Sequence, residues 1–383
     1  MDLALSEEQN MLRDVARDFC QTELAPLVDN AEANQEFPRH IYPKMAQLGF
    51  MGIGIPREAG GQGLGKMEEC LFIEELACVA GGFASSWMVQ TCIVPAVLSQ
   101  FASAKQKERY LYPMLRGEKI GSLGVTEASA GSDVKGIKTT ATRVPEGWRI
   151  KGGKAFITQG TTCDFAIVLA YTDKTQGING MDLFLVDRST PGFSSSKMPK
   201  TAYQSSETAW LHLDDCVVPA DAMIGDENSQ AFRRIMKTFI GERILVAARS
   251  IGIARGALEQ SEAYVKERQQ FGRVIGSFQA VAFRVAEMAT SVAAARLFAH
   301  HVARQWDQGV DDPREVAMAK LFATEAAVEV TDRAMRIFGG HGLVQGAFPI
   351  QRMFMDARVS IVTVGSSDIQ KRAIARYMGL ACD

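Results

Sequence analysis

Paired cysteines are the first thing this chain of 383 residues lacks. Its seven cysteines (Cys20, Cys70, Cys78, Cys92, Cys163, Cys216 and Cys382) are odd in number, and none forms a Cys-x-x-Cys. That argues against a disulfide framework or zinc site and for free, mostly buried thiols in a reducing compartment. The five histidines include no His-Glu-x-x-His, and His300 and His301 would point apart on a helix. No metal site is expected. Gly-x-Gly-x-x-Gly and the Gly-Lys-Ser/Thr phosphate loop are both absent, so a dinucleotide fold is not indicated. Neither charge sign dominates. The 42 Lys and Arg against 44 Asp and Glu leave −2, no reason to expect a nucleic-acid partner. No run approaches the ~20 uninterrupted apolar residues of a membrane span. The start, "MDLALSEEQNMLRD", lacks a basic region followed by an apolar core, so a cytoplasmic location is expected.

What is present falls into three segments, with boundaries at 1–119, 120–228 and 229–383. The first reads as helices. Ser6 with Glu7 and Glu8 marks a start, and Leu12, Val15, Phe19 and Leu24 recur at near-helical spacing until Pro26 closes the run. Further helices are predicted through "IYPKMAQLGF", "MEECLFIEELACVA" and "SWMVQTCIVPAVLSQF", with "IPREAGGQGLG" a loop. Near residue 120 the pattern turns β-branched and aromatic: "GWRIKGGKAFITQG", "DFAIVLAYTD", "GMDLFLVDR" and "TAWLHLDDCVVP" predict a small barrel or sandwich. Long helices then return, one through 274–306 and one from Pro313 to Gly339-Gly340, as in a bundle. The fold class is α+β multidomain.

"KTFIGERILVAARS" (237–250) places Glu242 on one helical face with Ile235, Phe239, Leu245 and Val246. A carboxylate there either pairs at the edge of the stripe or is buried with a raised pKa. "GSLGVTEASAGSD" (121–133) gathers backbone amides and hydroxyls suited to a ligand rich in acceptors, or is a turn-rich β connection. "KAFITQG" offers an aromatic and a hydroxyl on one strand face, "RQQFG" a cation beside an aromatic, and "RIFGGHG" a sterically open helix end.

With these segments the chain resembles the acyl-CoA dehydrogenase family along its whole length. The likeness rests on Thr126-Glu127 with Ala130-Gly131-Ser132-Asp133, Ile157-Thr158, Arg268 with Phe271-Gly272, Gln279, and Gly339-Gly340. It implies an N-terminal helical domain, a central β-barrel and a C-terminal four-helix bundle, assembled as a homotetramer (a dimer of dimers). It also implies FAD between barrel and bundle. Leu123, Val125, Thr126 and Ser132 would line the isoalloxazine, and Phe156, Ile157 and Thr158 would flank its N5. A neighbour's Arg268 would meet the pyrophosphate, and Phe271 and Gln279 the adenosine half. Arg336, Ile337, Gly339 and Gly340 would approach the adenine, with Ser366, Ser367 and Asp368 capping it from a helix N-terminus. Ser132, Gly241, Arg243, Val364 and Gly365 would face the substrate, in a pocket bounded by "FASSWMVQTCIV" (83–94).

Departures from the family pattern carry their own implications. Ala128 and Ser129 replace a Pro-Gly, and Gln159 replaces a frequent Asn. Phe156 stands where a Trp commonly shields the flavin, which bears on whether electron-transfer flavoprotein or another acceptor takes the electrons. Most notably, Val364 in "TVGSSDIQ" occupies the place of the usual catalytic Glu, and a valine accepts no proton. A minority of the family carries the base in a Glu-Arg pair on the first long C-terminal helix, which Glu242-Arg243 matches. The implied reaction removes the α-proton of an acyl thioester (CoA or acyl carrier protein) to Glu242 and sends the β-hydride to flavin N5, giving the trans-2-enoyl thioester. An enoyl-CoA reductase of the crotonobetainyl-CoA type, a flavin monooxygenase of the same fold and a non-enzymatic acyl-binding module are the alternatives.

Overall fold

The computed structural model describes residues 4–225, 230–344 and 346–381; Cys382 and the expected boundary at 228/229 lie outside them. The N-terminal part holds helices α1 (Glu7–Phe19), α2 (Val28–Asn34), α3 (Ile41–Gln47), α4 (Lys66–Val79), α5 (Gly81–Met88), α6 (Val94–Phe101), α7 (Ala104–Gln106) and α8 (Tyr112–Leu115). Ser6 starts α1 with a reciprocal cap: its hydroxyl accepts from the Gln9 N–H, and the Gln9 amide oxygen accepts from the Ser6 N–H. Pro26 does not close this run. A wide turn at Cys20–Leu24 and a tight one at Ala25–Leu27 carry the chain on into α2. Proline sits there in the first turn of a new helical segment, where its missing N–H costs nothing.

One stretch, Gly81–Phe101, is long and apolar enough to cross a membrane, contrary to the expectation of none, but 89% of its apolar window is buried inside the protein. It is the core helix of this domain, with Phe83 and Trp87 fully enclosed. Both therefore fill the core rather than bound a substrate pocket: Phe83 packs edge-on against Phe37, and Trp87 lies against Phe72 and donates to the Phe50 carbonyl at 2.9 Å.

The central domain is a seven-stranded sheet of β1 (Gly121–Gly124), β2 (Thr140–Val144), β3 (Gly147–Thr158), β4 (Phe165–Tyr171), β5 (Met181–Asp187), β6 (Phe193–Lys197) and β7 (Thr208–Val218). Its order is β1-β4-β2-β3-β7-β6, with β5 also on β4, which makes it an open half-barrel rather than a closed barrel. β4 is buried along its whole length, as a continuous "FAIVLAY" requires. β1, β2 and β6 lie outside the segments the sequence marks as strands, being four or five residues long with little alternation to detect.

The C-terminal part holds α9 (Ala231–Glu267), a two-stranded hairpin of β8 (Gln269–Gln270) and β9 (Arg273–Val274), then α10 (Gln279–Asp307), α11 (Pro313–Phe338), α12 (Ile350–Ser360) and α13 (Ser367–Tyr377). α10 begins five residues later than the apolar spacing predicts, because the hairpin and a tight turn at Ile275–Ser277 occupy its expected start. α11 runs from Pro313 to a Gly339 cap, as expected. α9 packs on α10, α11 and α12, and also along α4. Glycine is required at that last seam: a Cβ on Gly252 would meet the Glu74 carbonyl at 2.4 Å. The N- and C-terminal helices thus share one apolar core. Buried charges reinforce the seam. Glu74 accepts from Arg296 (2.6 Å) and His300 (2.5 Å), and Glu75 from Arg255 (2.7 Å) and Arg17 (3.1 Å).

Candidate active site

Glu242 is 2% exposed on α9, separated only by half-buried Arg243 from a stretch, Ile244 to Leu258, that is buried throughout. Its Oε2 has no hydrogen-bond partner among the described residues. It lines a cleft of about 990 Å³ bounded by the loop before α4, the first turn of α4, α6 and the end of α10. Gly241 lines the same cleft, as do Cys92 and Ala96, whereas Phe83 to Gln90 do not. Burial pushes the Glu242 carboxyl up to about 8; Lys66 and Arg249 pull it back and Glu69 adds to the rise. At neutral pH the protonated form therefore predominates, and the deprotonated form that can act as a base grows as pH rises toward 8.

The next residue along the helix, Arg243, reaches the loop that contains Val364: its Nε donates to the Val364 carbonyl at 3.4 Å. Two more cations hold the same loop. Arg249, 1% exposed, donates to the Thr363 hydroxyl at 3.2 Å, and fully buried Lys320 donates to the Gly365 carbonyl at 2.9 Å. Burial, helped by Arg249 and Arg243, pushes the Lys320 ammonium down to about 8. Val364 itself is left-handed at φ 52, a conformation that costs a β-branched residue about 1–2 kcal/mol. Gly365 follows at φ 88, where a Cβ would come within 2.7 Å of Gln370 Nε2.

The loop after β1 is stitched from within. Glu127 accepts from the N–H groups of Lys138 (2.7 Å) and Thr139 (3.0 Å), the Thr139 hydroxyl (2.5 Å) and Lys154 Nζ (2.9 Å). Buried Lys154 also donates to the Val125 carbonyl at 3.2 Å, and burial lowers its pKa to about 8 against the pull of Glu127. The Ala155 N–H donates to Thr126 O (2.9 Å) and the Ser122 hydroxyl to Thr158 O (3.0 Å). The fold thus brings Leu123, Val125 and Thr126 against Phe156, Ile157 and Thr158. Val125 and Ile157 are buried, Leu123, Thr126 and Thr158 half-buried, and Ser132 exposed. Phe156 stands 63% exposed at φ 60. Gln159, buried, accepts from the Tyr42 hydroxyl (3.1 Å) and Gln90 Nε2 (2.7 Å).

The remaining residues lie elsewhere on the chain. Arg268 directly follows α9 as its cap, Phe271 at the hairpin tip is 92% exposed, and Gln279 opens α10. Among the described residues no hydrogen bond or ring contact joins this hairpin to the 122–158 cluster. Arg336 is exposed and paired with Asp332 at 2.9 Å, while Ile337 packs in the core. A Cβ on Gly339 or Gly340 would meet nothing within 4 Å. Ser366 caps α13, Ser367 donates to Glu325 at 2.5 Å, and exposed Asp368 lies 3.5 Å from Lys371. Sequence reasoning missed Lys66, Glu69, Lys154, Arg249 and Lys320. The signal available was a charge flanked by apolar residues, which a surface position produces equally well.

Family models agree with this layout: acyl-CoA dehydrogenase N-terminal domain over residues 6–118, middle domain over 122–216 and C-terminal domain over 230–379. The chain is 38% identical to acryloyl-CoA reductase (NADH) of Anaerotignum propionicum, over 98% of this chain and 95% of that protein. Butyryl-CoA dehydrogenase of Megasphaera elsdenii superposes with a TM-score of 0.93 at 33% identity, covering 99% and 100% of the two chains. A chain in the structure described as the electron transferring flavoprotein of Acidaminococcus fermentans matches at 0.94 and 37%, covering 99% of each. Domains, half-barrel and helical bundle agree in order and extent, and the chain belongs to the acyl-CoA dehydrogenase family of FAD-binding oxidoreductases that act on CH–CH bonds.

Proposed function

We propose that this chain dehydrogenates an acyl thioester between Cα and Cβ, with Glu242 receiving the α-proton. The observation that carries the proposal is the orphaned Oε2 of a buried carboxylate at a cleft wall, combined with a valine at 364. A general base needs that combination of desolvation and access to substrate. FAD fits the residues present. Gly131, Gly339 and Gly340 leave open backbone, Phe156 and Phe271 present uncovered rings, and the Thr126 and Ser132 hydroxyls are available as donors. Leu123, Val125, Thr126, Ser132, Phe156, Ile157 and Thr158 would hold its ring system. Phe271, Gln279, Gly339, Gly340 and Ser366 would hold its adenosine half, with Arg268 supplied by a neighbouring chain in a tetramer. When bound, the flavin accepts the β-hydrogen with its electron pair.

The chain's own residues do the rest. Arg243, Arg249 and Lys320 fix the loop at 363–365, and among the described residues no hydrogen bond uses the Val364 N–H. That N–H is free to polarise the thioester carbonyl as charge builds on its oxygen. An electron-transfer flavoprotein is the proposed acceptor, supported by the likeness to the Acidaminococcus structure. Six described cysteines, all unpaired, support a reducing, cytoplasmic setting.

One observation favours the reverse direction. A carboxyl with its pKa near 8 is protonated at neutral pH, which suits a donor to Cα of an enoyl thioester; the likeness to acryloyl-CoA reductase points the same way. Anaerobic flavin bleaching with a panel of saturated acyl thioesters tests the proposal. Bleaching is expected. Reoxidation of reduced enzyme by enoyl thioesters without bleaching by any saturated one would reverse the direction, and no response to either would reject the reaction.

A further inference from the structure

We infer that Lys66 and Glu69 determine substrate choice, reading a hydroxyl group on the acyl chain; this rests on the thioester reaction proposed above. The two residues form a salt bridge on the first turn of α4, with side chains only 13% and 3% exposed, and both line the cleft that Glu242 lines. Their placement is fixed from two sides. Asp307, at the end of α10, accepts from the N–H groups of Lys66 (2.6 Å) and Met67 (2.9 Å). Behind Glu69, a Cβ on Gly54 would lie 2.5 Å from its Oε1, so the carboxylate rests directly on backbone.

The direction of the cleft assigns it to the acyl end. Arg243, Val364 and Gly365, where the thioester carbonyl is proposed to sit, do not line it. A chain whose Cα lies at Glu242 therefore extends from there toward Lys66 and Glu69. A hydrocarbon end would seal the ion pair from water while leaving the remaining ammonium N–H groups and carboxylate lone pairs unmet, which is costly for buried charges. A carboxylate end is no better served. Glu68, Glu69 and Asp307 stand against Lys66, Lys237 and Arg304 on the cleft wall, so there is no excess of positive charge to receive it. A neutral group that donates to Glu69 and accepts from Lys66 satisfies both partners at once, and a hydroxyl is the smallest such group.

The experiment uses the holoenzyme and straight-chain CoA thioesters of equal length ending in methyl, hydroxyl or carboxylate. Wild-type kcat/KM for the hydroxyl compound should exceed that for the methyl compound by at least ~10-fold, the discrimination expected of a site built to hydrogen-bond its ligand. In the double variant Lys66→Met, Glu69→Leu the ratio should invert, a total change of about 10²-fold. Replacing a buried ion pair with apolar residues is usually tolerated, and an unchanged melting temperature would verify folding. Calorimetry on Glu242→Gln, in which turnover should be slowed at least ~10²-fold, should give the same order of affinities. A methyl or carboxylate preference in the wild type, or an unaltered ratio in the double variant, overturns the inference while leaving the dehydrogenase reading intact. If none of the three compounds reduces the flavin, the dehydrogenase reading itself falls and this inference with it.

Discussion

Glu242→Gln keeps the volume of the side chain but accepts no proton at any working pH. Flavin reduction by a good thioester should slow by at least ~10²-fold, with much less change in thioester binding. Adding Val364→Glu should restore part of the rate. An unbranched side chain is less strained at φ 52 than valine, and Arg243, Arg249 and Lys320 surround the loop with positive charge. Wild-type rates from Glu242→Gln in stopped-flow reduction would mean that another group takes the proton. The titration has a definite sign. A base must be deprotonated, so kcat/KM for dehydrogenation should rise with pH through a limb near 8, whereas reduction of an enoyl thioester should lose rate through the same limb. Stability runs opposite to dehydrogenation. A carboxyl raised from 4.5 to about 8 contributes stability that is fully present below 4.5 and is lost as pH rises toward 8. Glu242→Gln should flatten that part of a melting-temperature profile of the apoprotein.

At the scale of elements, α4 depends on charges that its apolar pattern hides. Glu74 is buried, which by itself would raise its pKa, yet His300, Arg296 and Arg255 outweigh burial and hold it at about 2. Its contribution to stability is present above 4.5 and is lost as pH falls toward 2. Glu74→Gln should cost about 3–5 kcal/mol in denaturant unfolding, since it leaves buried cations without their partner. A loss below ~1 kcal/mol would mean that the seam between α4, α9 and α10 holds by packing alone, as an exposed ion pair would. These same helices mark how far the sequence could be read. Periodicity locates α4, α9 and α11, because three turns or more of apolar spacing outweigh local noise. It misplaces the start of α10, where a short hairpin intervenes, and misjudges Pro26, where two irregular turns absorb the break. Glu242 was legible because it sits within a long apolar stripe. Lys66, Glu69 and Arg249 were not, since a charge at a helix start or beside alanines gives no sign of which way it faces.

For the molecule as a whole, purified protein should be yellow with about one FAD per chain, as expected of this family. Arg268→Ala should weaken retention of the flavin without disturbing α9, whose last residue precedes it. Colourless protein that takes up no added FAD would contradict the family's chemistry here. Light scattering should find no fully active monomer. The reason lies in α9 itself. At 1.5 Å per residue, Arg268 lies about 39 Å along the helix from Glu242. If, as proposed, Arg268 serves a neighbour's flavin, a chain holds its base at one location and offers its arginine at another, and each reaction centre would have two owners. Lesions in the two residues should then complement one another. Co-expressed Glu242→Gln and Arg268→Ala chains, each crippled alone, should form hybrids in which some centres inherit a sound base from one parent and a sound arginine from the other. Those hybrids should turn over faster than either variant, whereas activity no greater than the average of the two would mean that every chain keeps its arginine for itself.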